Sequence, residues 1–344
     1  MAVPESLPPS VLVTGGAGFV GSHVCKALRR AGLRPITYDD LSGGHRWAVQ
    51  WGPLEVGSIT DAGRLDQVFR QYRPVGVIHL AGVIAVGESM VEPGLYYESN
   101  LGGTLALLQA MRRHRVDRIV FSSSAAVYGE PKSVLVSEDH PQSPVSPYGA
   151  SKAMGERVIQ DFCAAYGMRA MALRYFNAAG ADPDGEIGEA HPNETHLIPR
   201  ILDVADGREP AVTLYGDDYP TRDGSCIRDY VHVSDLAEAH LLALRFLDTH
   251  PGSHALNLGN GAGVSVLEVI ASVRRVTRRP IDIVVKPRRP GDPPVLVADA
   301  SRAQKLLGWQ PIHDDLDTLI ETAWNWREIA SSLDATVVPS LEIR

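Results

Sequence analysis

The sequence predicts an α/β fold, a doubly wound parallel sheet of Rossmann type with a smaller α/β substrate domain interleaved at its C-terminal side. Three observations carry this. Short apolar runs alternate with helical stretches from Ser10 to about Arg174, and such alternation builds right-handed βαβ units around a parallel sheet. The first run feeds a glycine turn that opens a helix, the context a dinucleotide fingerprint needs. From Asn177 to about Arg200 the chain turns rich in Gly, Pro, Asp and His, and the alternation then resumes in pieces, as in a loop-rich domain closing over a ligand. The expected division is residues 10–176 for dinucleotide binding, rejoined by later segments, and 177–330 for substrate.

Residues 10–14 form the first strand. The loop Gly15-Gly16-Ala17-Gly18-Phe19-Val20-Gly21 follows, then a helix to about Arg30. Gly15 allows the tight turn, Gly18 admits a pyrophosphate, and Gly21 lets helix and strand approach. The helix start at Phe19 and Val20 offers N–H groups and a partial positive charge to phosphate. The spacing is G-x-x-G-x-x-G. A strand over 35–38 ends at Asp39-Asp40, about 18 residues past Gly21, close to the spacing of an acid that bonds the ribose hydroxyls. A carboxylate there repels a 2′-phosphate, so the expected cofactor is NAD rather than NADP.

A strand over 54–56, a helix over 61–72 and a strand over 75–80 ending in Ala81-Gly82 continue the pattern. A single long helix is expected over 93–114, then a strand over 118–121 running into Ser122-Ser123-Ser124. Strand C-termini line the ligand crevice, which places Ser124 beside Tyr148. Residues 148–166 read as helix, so Tyr148 and Lys152 form an i, i+4 pair on its first turn. A free tyrosine, with a pKa of about 10, is a poor base at pH 7. A neighbouring ammonium favours the phenolate, and a base so tuned suits removal of a proton from a sugar hydroxyl.

The strand over 169–174 closes this half. Helices over 197–206, 234–247 and 265–274, strands over 212–215, 254–258 and 281–285, and two short helices starting near Ala300 and Leu316 make up the remainder. His79 and His232 lie in apolar runs and read as core or supporting histidines. No His/Cys/Asp/Glu cluster has metal-ligand spacing, so no metal is expected.

The net charge of -8 gives no basic surplus for nucleic acid or an anionic membrane. No apolar run reaches the ~18 residues of a membrane span. Three scattered cysteines, Cys25, Cys163 and Cys226, form no disulfide framework, pointing to a reducing, cytoplasmic setting. The proline-rich start, residues 1–10, lacks the pattern of a signal peptide.

Together, the glycine loop, the serine run and Tyr148-x-x-x-Lys152 resemble the extended short-chain dehydrogenase/reductase superfamily. Ala85-Val86-Gly87-Glu88-Ser89, Ser122-Ser123-Ser124-Ala125-Ala126-Val127-Tyr128-Gly129, Arg174-Tyr175-Phe176-Asn177 and Asp229-Tyr230-Val231-His232-Val233 narrow the likeness to the UDP-glucose 4-epimerase family, from about Val11 to about Trp326. The resemblance implies NAD-dependent inversion at C4 of a UDP-hexose through a transient 4-keto sugar. Tyr148 would be the base, Ser124 would bond the same oxygen, and Lys152 would tune the phenol and bond the nicotinamide ribose. It implies further cofactor contacts at Ser58, Ile59, Leu80, Ala81, Gly82, Ile84, Asn100, Ser122 and Phe176. It places Arg228 and Arg289 on the pyrophosphate, Asp292 on the uridine ribose and Thr213-Leu214-Tyr215 at uracil, held partly by backbone bonds and an aromatic face. Asn177, His196 and Leu197 fall near the phosphates and sugar. Arginine suits its part because its planar fork bonds phosphate oxygens two at a time.

This sequence departs from some relatives at Ile84, Ser58 and His196, where they carry a lysine, an aspartate and an asparagine. Leu296 stands where strict glucose/galactose epimerases have a tyrosine and those also taking N-acetyl sugars have something smaller. UDP-N-acetylhexosamine, UDP-xylose/arabinose and UDP-glucuronate therefore remain alternatives, as does a non-catalytic NAD-binding sensor. A 4,6-dehydratase is disfavoured, because Ala125-Ala126 stand where related dehydratases carry Asp-Glu. The helices over 93–114 and 148–166 resemble the pair that forms a four-helix bundle in dimers of the superfamily, so a homodimer is expected.

Overall fold

A computed structural model describes residues 7–336 except 132, 192, 193 and 290; side chains are described through residue 330. The first six residues of the proline-rich start lie outside this range. A seven-stranded parallel sheet forms the centre. Its first five strands in chain order are β1 (Ser10–Thr14), β2 (Arg34–Asp39), β3 (Leu54–Val56), β4 (Gly76–His79) and β5 (Arg118–Ser124). Across the sheet the order is Gly252–Leu258, Arg169–Tyr175, β5, β4, β1, β2, β3. The strand order reverses direction beside β1, the topological switch point where open α/β sheets bind ligands.

Helices cover both faces. Helix α1 (Phe19–Arg30) packs against the Val233–Phe246 helix on one face. On the other, α2 (Ala62–Tyr72), Gly103–Arg113 and Pro147–Tyr166 pack in turn. Two apolar clusters result, one including Val24, Leu28, Ile78, Leu236 and Leu244, the other Leu65, Phe69, Leu107, Met111 and Ile159. Full burial of each such side chain stabilises the fold by about 1.5–3 kcal/mol. A third cluster, including Ile201, Leu214, Val269 and Ile320, serves the C-terminal half.

The expected helix over 93–114 is instead three segments: Pro93–Tyr96, a wider π-helical turn at Tyr97–Gly102, and Gly103–Arg113. At the junction a Cβ on Gly103 would stand 2.5 Å from Ile59 Cγ2, so the chain approaches the sheet edge more closely than a side chain allows. The π turn carries Asn100, and such bulges recur at functional sites. The C-terminal helix expected to be short runs from Leu316 to Thr336. Pairings of two to four residues, such as Ile227–Arg228 with Val295–Ala298 and Asn177–Ala179 with Tyr230–His232, bring the later segments together. No helix among the described residues is long and apolar enough to cross a membrane. Cys25, Cys163 and Cys226 are free and buried.

Candidate active site

A cavity of about 810 Å³ runs from the glycine loop across the strand ends to the C-terminal half. At its first end Gly15 has φ +72°, and a Cβ there would lie 2.6 Å from Ala81 N. Only glycine takes that left-handed turn against β4's exit without strain. A Cβ on Gly21 would meet Gly15 O at 2.0 Å. Gly18 caps α1 without a side-chain bond, the first turn carries no acid, and Gly18, Phe19 and Val20 line the cavity. Open N–H groups at a helix start suit a diphosphate. Asp39 stands on the same wall and accepts from Ala17 N at 3.0 Å and Leu41 N at 2.9 Å. Burial pushes its carboxyl up while those two bonds pull it down. Glycine cradle, helix start and acid fit NAD.

The centre of the cavity is set by the Pro147–Tyr166 helix. Ser146 accepts from Gly149 N at 3.1 Å, Pro147 occupies the first turn, and Gly167 ends the helix at φ 69°. This is the proline-first, glycine-last pattern of a well-bounded helix. A Cβ on Gly149 would fall 2.4 Å from Ala126 O, so glycine brings the helix against the turn after Ser124. Tyr148 and Ser124 both line the cavity, and the Ser124 hydroxyl acts to lower the Tyr148 phenol. The Lys152 ammonium lies 5.9 Å from the Tyr148 ring centre and donates to Ser122 O at 2.9 Å. Burial pulls Lys152 down to about 8. The sequence reading expects Lys152 to draw the phenol down. Instead burial pushes Tyr148 up, against the lowering by Ser124. As an anion, the half-buried phenol loses more hydration than the Ser124 hydroxyl returns.

At the far end, Arg228, Arg289 and Asp292 line the cavity. Arg228 pairs with Asp292, and the Arg289 guanidinium stacks 3.9 Å over the Tyr215 ring. The bond to Arg289 pulls the Tyr215 phenol down. Residue 228 pairs with 296 in a parallel register, which brings Leu296 beside Arg228. Leu296 packs with Phe176 against Val127 and Tyr128.

Besides these, Ile59, Leu80, Ala81, Gly82, Ile84, Asp40, Phe176, Asn177, His196, Leu197 and Thr213 face the cavity. Five expected residues do not. The Leu214 side chain turns into the core while Thr213 and Tyr215 face out, as strand alternation requires. Ser58 bonds the Thr60 hydroxyl at 2.9 Å. Ser122 gives its carbonyl to Lys152 and its hydroxyl to Tyr175 at 2.5 Å. Lys152 itself is held beneath Tyr148, on that carbonyl. Asn100 bonds Val83 N at 2.9 Å and Ser151 Oγ at 3.0 Å, so it acts through the Gly82–Val83 backbone.

Sequence reasoning missed Tyr175, Arg200 and Glu88, all on the wall. Glu88 lies inside the Ala85–Ser89 segment singled out by resemblance, which was a usable signal. It also missed a cluster in the loop before the Leu197–Ala205 helix, where Glu189, His191, Glu194 and His196 bring four donor atoms within 4.8 Å. Those positions have no regular helical or strand period, so spacing alone gave no sign of it. Burial works to lower both imidazoles, yet bonds to the carboxylates carry His191 up to about 10 and raise His196. His79 sits buried between Thr14 and Thr104 at 2.7 and 3.0 Å, a supporting rather than a cavity residue.

Residues 11–259 match the NAD dependent epimerase/dehydratase family. A UDP-glucose 4-epimerase of Lacticaseibacillus casei is 48% identical over 93% of this chain and 97% of its own length. The crystal structure of the UDP-glucose 4-epimerase of Brucella ovis with NAD superposes with a TM-score of 0.90 at 49% identity, covering 92% of this chain and 97% of that one. The Bifidobacterium longum enzyme, crystallised with NAD+ and UDP, gives 0.89 at 38% identity over 94% and 99% of the two chains. By sequence and by structure, this chain belongs to the NAD-dependent epimerase/dehydratase family, on the branch of its UDP-glucose 4-epimerases.

Proposed function

We propose that this protein inverts C4 of a UDP-hexose, interconverting UDP-glucose and UDP-galactose with bound NAD. The observation that carries the reading is one continuous cavity. It holds a glycine cradle at one end, a Tyr148–Ser124 pair at the centre and Arg228, Arg289 and Asp292 at the other. The cradle and Asp39 would hold NAD, which would supply reversible hydride chemistry at C4.

The chain's own residues do the rest. Tyr148, as phenolate, takes the proton of the 4-hydroxyl, and Ser124 shares that oxygen and relays the proton. The resulting 4-keto sugar turns while Arg228, Arg289 and Asp292 hold the UDP end. Tyr148 then returns the proton to the opposite face's alkoxide. Lys152 keeps a positive charge beneath the phenol and braces Ser122. Tyr215, with Arg289 stacked on it, offers uracil an aromatic wall. His196 heads the Leu197–Ala205 helix with no side-chain cap, leaving that helix start to the phosphates.

Leu296 and Phe176 border the sugar region with apolar surface of moderate size. That supports a hexose first and leaves N-acetyl sugars to be assayed. The division into residues 10–176 and 177–330 is part of the same reading, as is a homodimer. Leu95, Tyr97, Leu105 and Met154 are exposed on the helices expected to pair, whereas Leu108 is buried in the core. Incubation with UDP-glucose, UDP-galactose, UDP-N-acetylglucosamine, UDP-xylose and UDP-glucuronate, with products read by NMR, tests the function. Conversion of the glucose/galactose pair is expected; no conversion of either would refute it. Light scattering on a sizing column tests the dimer.

A further inference from the structure

The loop that enters the Leu197–Ala205 helix carries the cluster the sequence did not reveal. Glu189 Oε1 lies 3.3 Å from His191 Nδ1 and 2.5 Å from His196 Nδ1. Glu194 Oε2 lies 3.2 Å from His191 Nδ1, and its Oε1 lies 3.7 Å from His196 Nδ1. A zinc ion with bonds of about 2.0–2.2 Å in tetrahedral geometry sets neighbouring ligands about 3.3–3.6 Å apart. Through one Glu194 oxygen or the other, three of the four imidazole–carboxylate separations fall on or beside that edge length, and all four side chains bring a donor atom within 4.8 Å of one another. The fourth, a direct hydrogen bond, need open by only ~1 Å to admit an ion of that size. The imidazoles stand edge to face at 85°, with centres 5.1 Å apart, so both rings turn Nδ1 inward without stacking.

The scaffold is held from outside. Trp326 donates to Glu189 O at 3.1 Å and His45 bonds Ala190 O at 2.7 Å. The Glu189 side chain is 8% exposed and that of Glu194 17%. Two carboxylates offset a dication, and a nitrogen–oxygen donor set without thiolate suits Zn²⁺ or Co²⁺.

We propose that Glu189, His191, Glu194 and His196 form a closed four-ligand site for a divalent transition metal, Zn²⁺ foremost, that clamps this loop. Four protein ligands leave no open position, so the ion's part is structural. It fixes the wall to which His191, Thr195, His196 and Leu197 belong. Because Nδ1 faces the carboxylates on both rings, Nε2 of His196 stays outside the metal's shell. The neighbouring acids Asp182, Asp184 and Glu186 are a different case. The Lys26 ammonium sits among them at 2.5–2.8 Å and occupies the place a cation would take.

The test uses the full chain, treated with EDTA and titrated with Co²⁺. One equivalent should give the intense visible bands of tetrahedral cobalt, bleached one for one by Zn²⁺, and Zn²⁺ should raise the thermal midpoint. His191→Gln and, separately, Glu194→Gln should each weaken Co²⁺ binding at least ~100-fold, since even an outer partner of a ligand costs 10–100-fold. Near-UV circular dichroism identifies any variant that has not folded, and the other variant then carries the comparison. A pale octahedral spectrum, or equal affinity in the parent and the folded variants, overturns the site and leaves the four groups as imidazolium–carboxylate pairs. Neither outcome depends on turnover, so the result stands apart from the epimerase reading.

Discussion

Tyr148→Phe removes one oxygen from the centre of the cavity and keeps the ring. Tyr96 packs edge-on to that ring at 6.4 Å, and phenylalanine preserves the contact. The structural cost is at most one neutral polar contact with Ser124, about 1 kcal/mol, so the fold should stand. The chemical cost is far larger. With no phenolate, removal of the 4-hydroxyl proton falls to Ser124 or water, and loss of a positioned base costs about 10²–10⁴ in rate, or about 2.7–5.5 kcal/mol at 1.36 kcal/mol per decade. A further consequence follows from burial. Burial holds the phenol above its ordinary value, so the neutral form predominates at pH 7. The parent's kcat/KM should therefore rise about tenfold per pH unit on its lower limb. In the variant that limb should flatten. The assay follows UDP-galactose conversion by coupling UDP-glucose to its dehydrogenase, with NADH read at 340 nm. Turnover within tenfold of the parent, with circular dichroism unchanged, would refute the assignment of Tyr148 as base.

Three other outcomes follow from particular contacts. Gly15→Ala forces a side chain to φ +72° with its Cβ 2.6 Å from Ala81 N; left-handed backbone alone costs about 1–2 kcal/mol. Purified variant should hold less NAD and melt lower, and unchanged NAD content and melting would count against the cradle. Glu156→Gln leaves the Arg174 guanidinium, bonded at 2.6 Å and 6% exposed, without its counter-charge, at a cost of about 3–5 kcal/mol in urea unfolding. Arg157→Gln, which breaks the exposed pair with Asp161, should change stability by less than about 0.5 kcal/mol, and equal effects from the two variants would contradict the distinction. For pH, burial holds His23 and His240 to about 4 and His79 and His232 to about 3, against about 6.5 in the unfolded chain. Because the folded values are depressed, their contribution is complete above pH 6.5 and is lost as pH falls toward 4. Each removes about 1.4 kcal/mol per pH unit inside that window. A thermal midpoint flat from pH 6.5 to 5 would show that these imidazoles protonate without unfolding the chain.

What could be read in the sequence was local. The Gly15–Gly21 loop, Asp39 and the Tyr148–Lys152 spacing each sit within one strand–turn–helix unit, where residue order maps directly onto space. What could not be read depends on partners distant in the chain. Lys152 meets Ser122 O from thirty residues away. Asn100 serves Val83 because a π turn swings it there, and no residue pattern distinguishes that turn from a continuing α-helix. Leu214 keeps only its backbone for the uracil expected at Thr213-Leu214-Tyr215, because period-two alternation sends its side chain into the core. The pairings that assemble the far wall, Ile227–Arg228 against Val295–Ala298 above all, are too short to leave a hydrophobic rhythm.

The layer beneath the site shows why the catalytic helix can be trusted to hold its place. Ser123 on β5 and Arg174 on the next strand both bond Glu156 of the Pro147–Tyr166 helix, at 2.5 and 2.6 Å. Arg174 also donates to Tyr128 Oη at 2.9 Å, Tyr128 to Asn257 Oδ1 at 2.6 Å, and Asn257 to Val136 O at 2.7 Å. An apolar core would let this helix slide, because hydrophobic contact is non-directional. A satisfied buried network does not, since each displaced bond strands a polar group away from water at about 1–3 kcal/mol. Tyr148 is two helical turns from Glu156, so the register that fixes the carboxylate also fixes the phenol over the strand ends. On this argument Glu156→Gln should lower kcat as well as stability in whatever fraction remains folded, while Arg157→Gln, one residue on and facing solvent, should change neither.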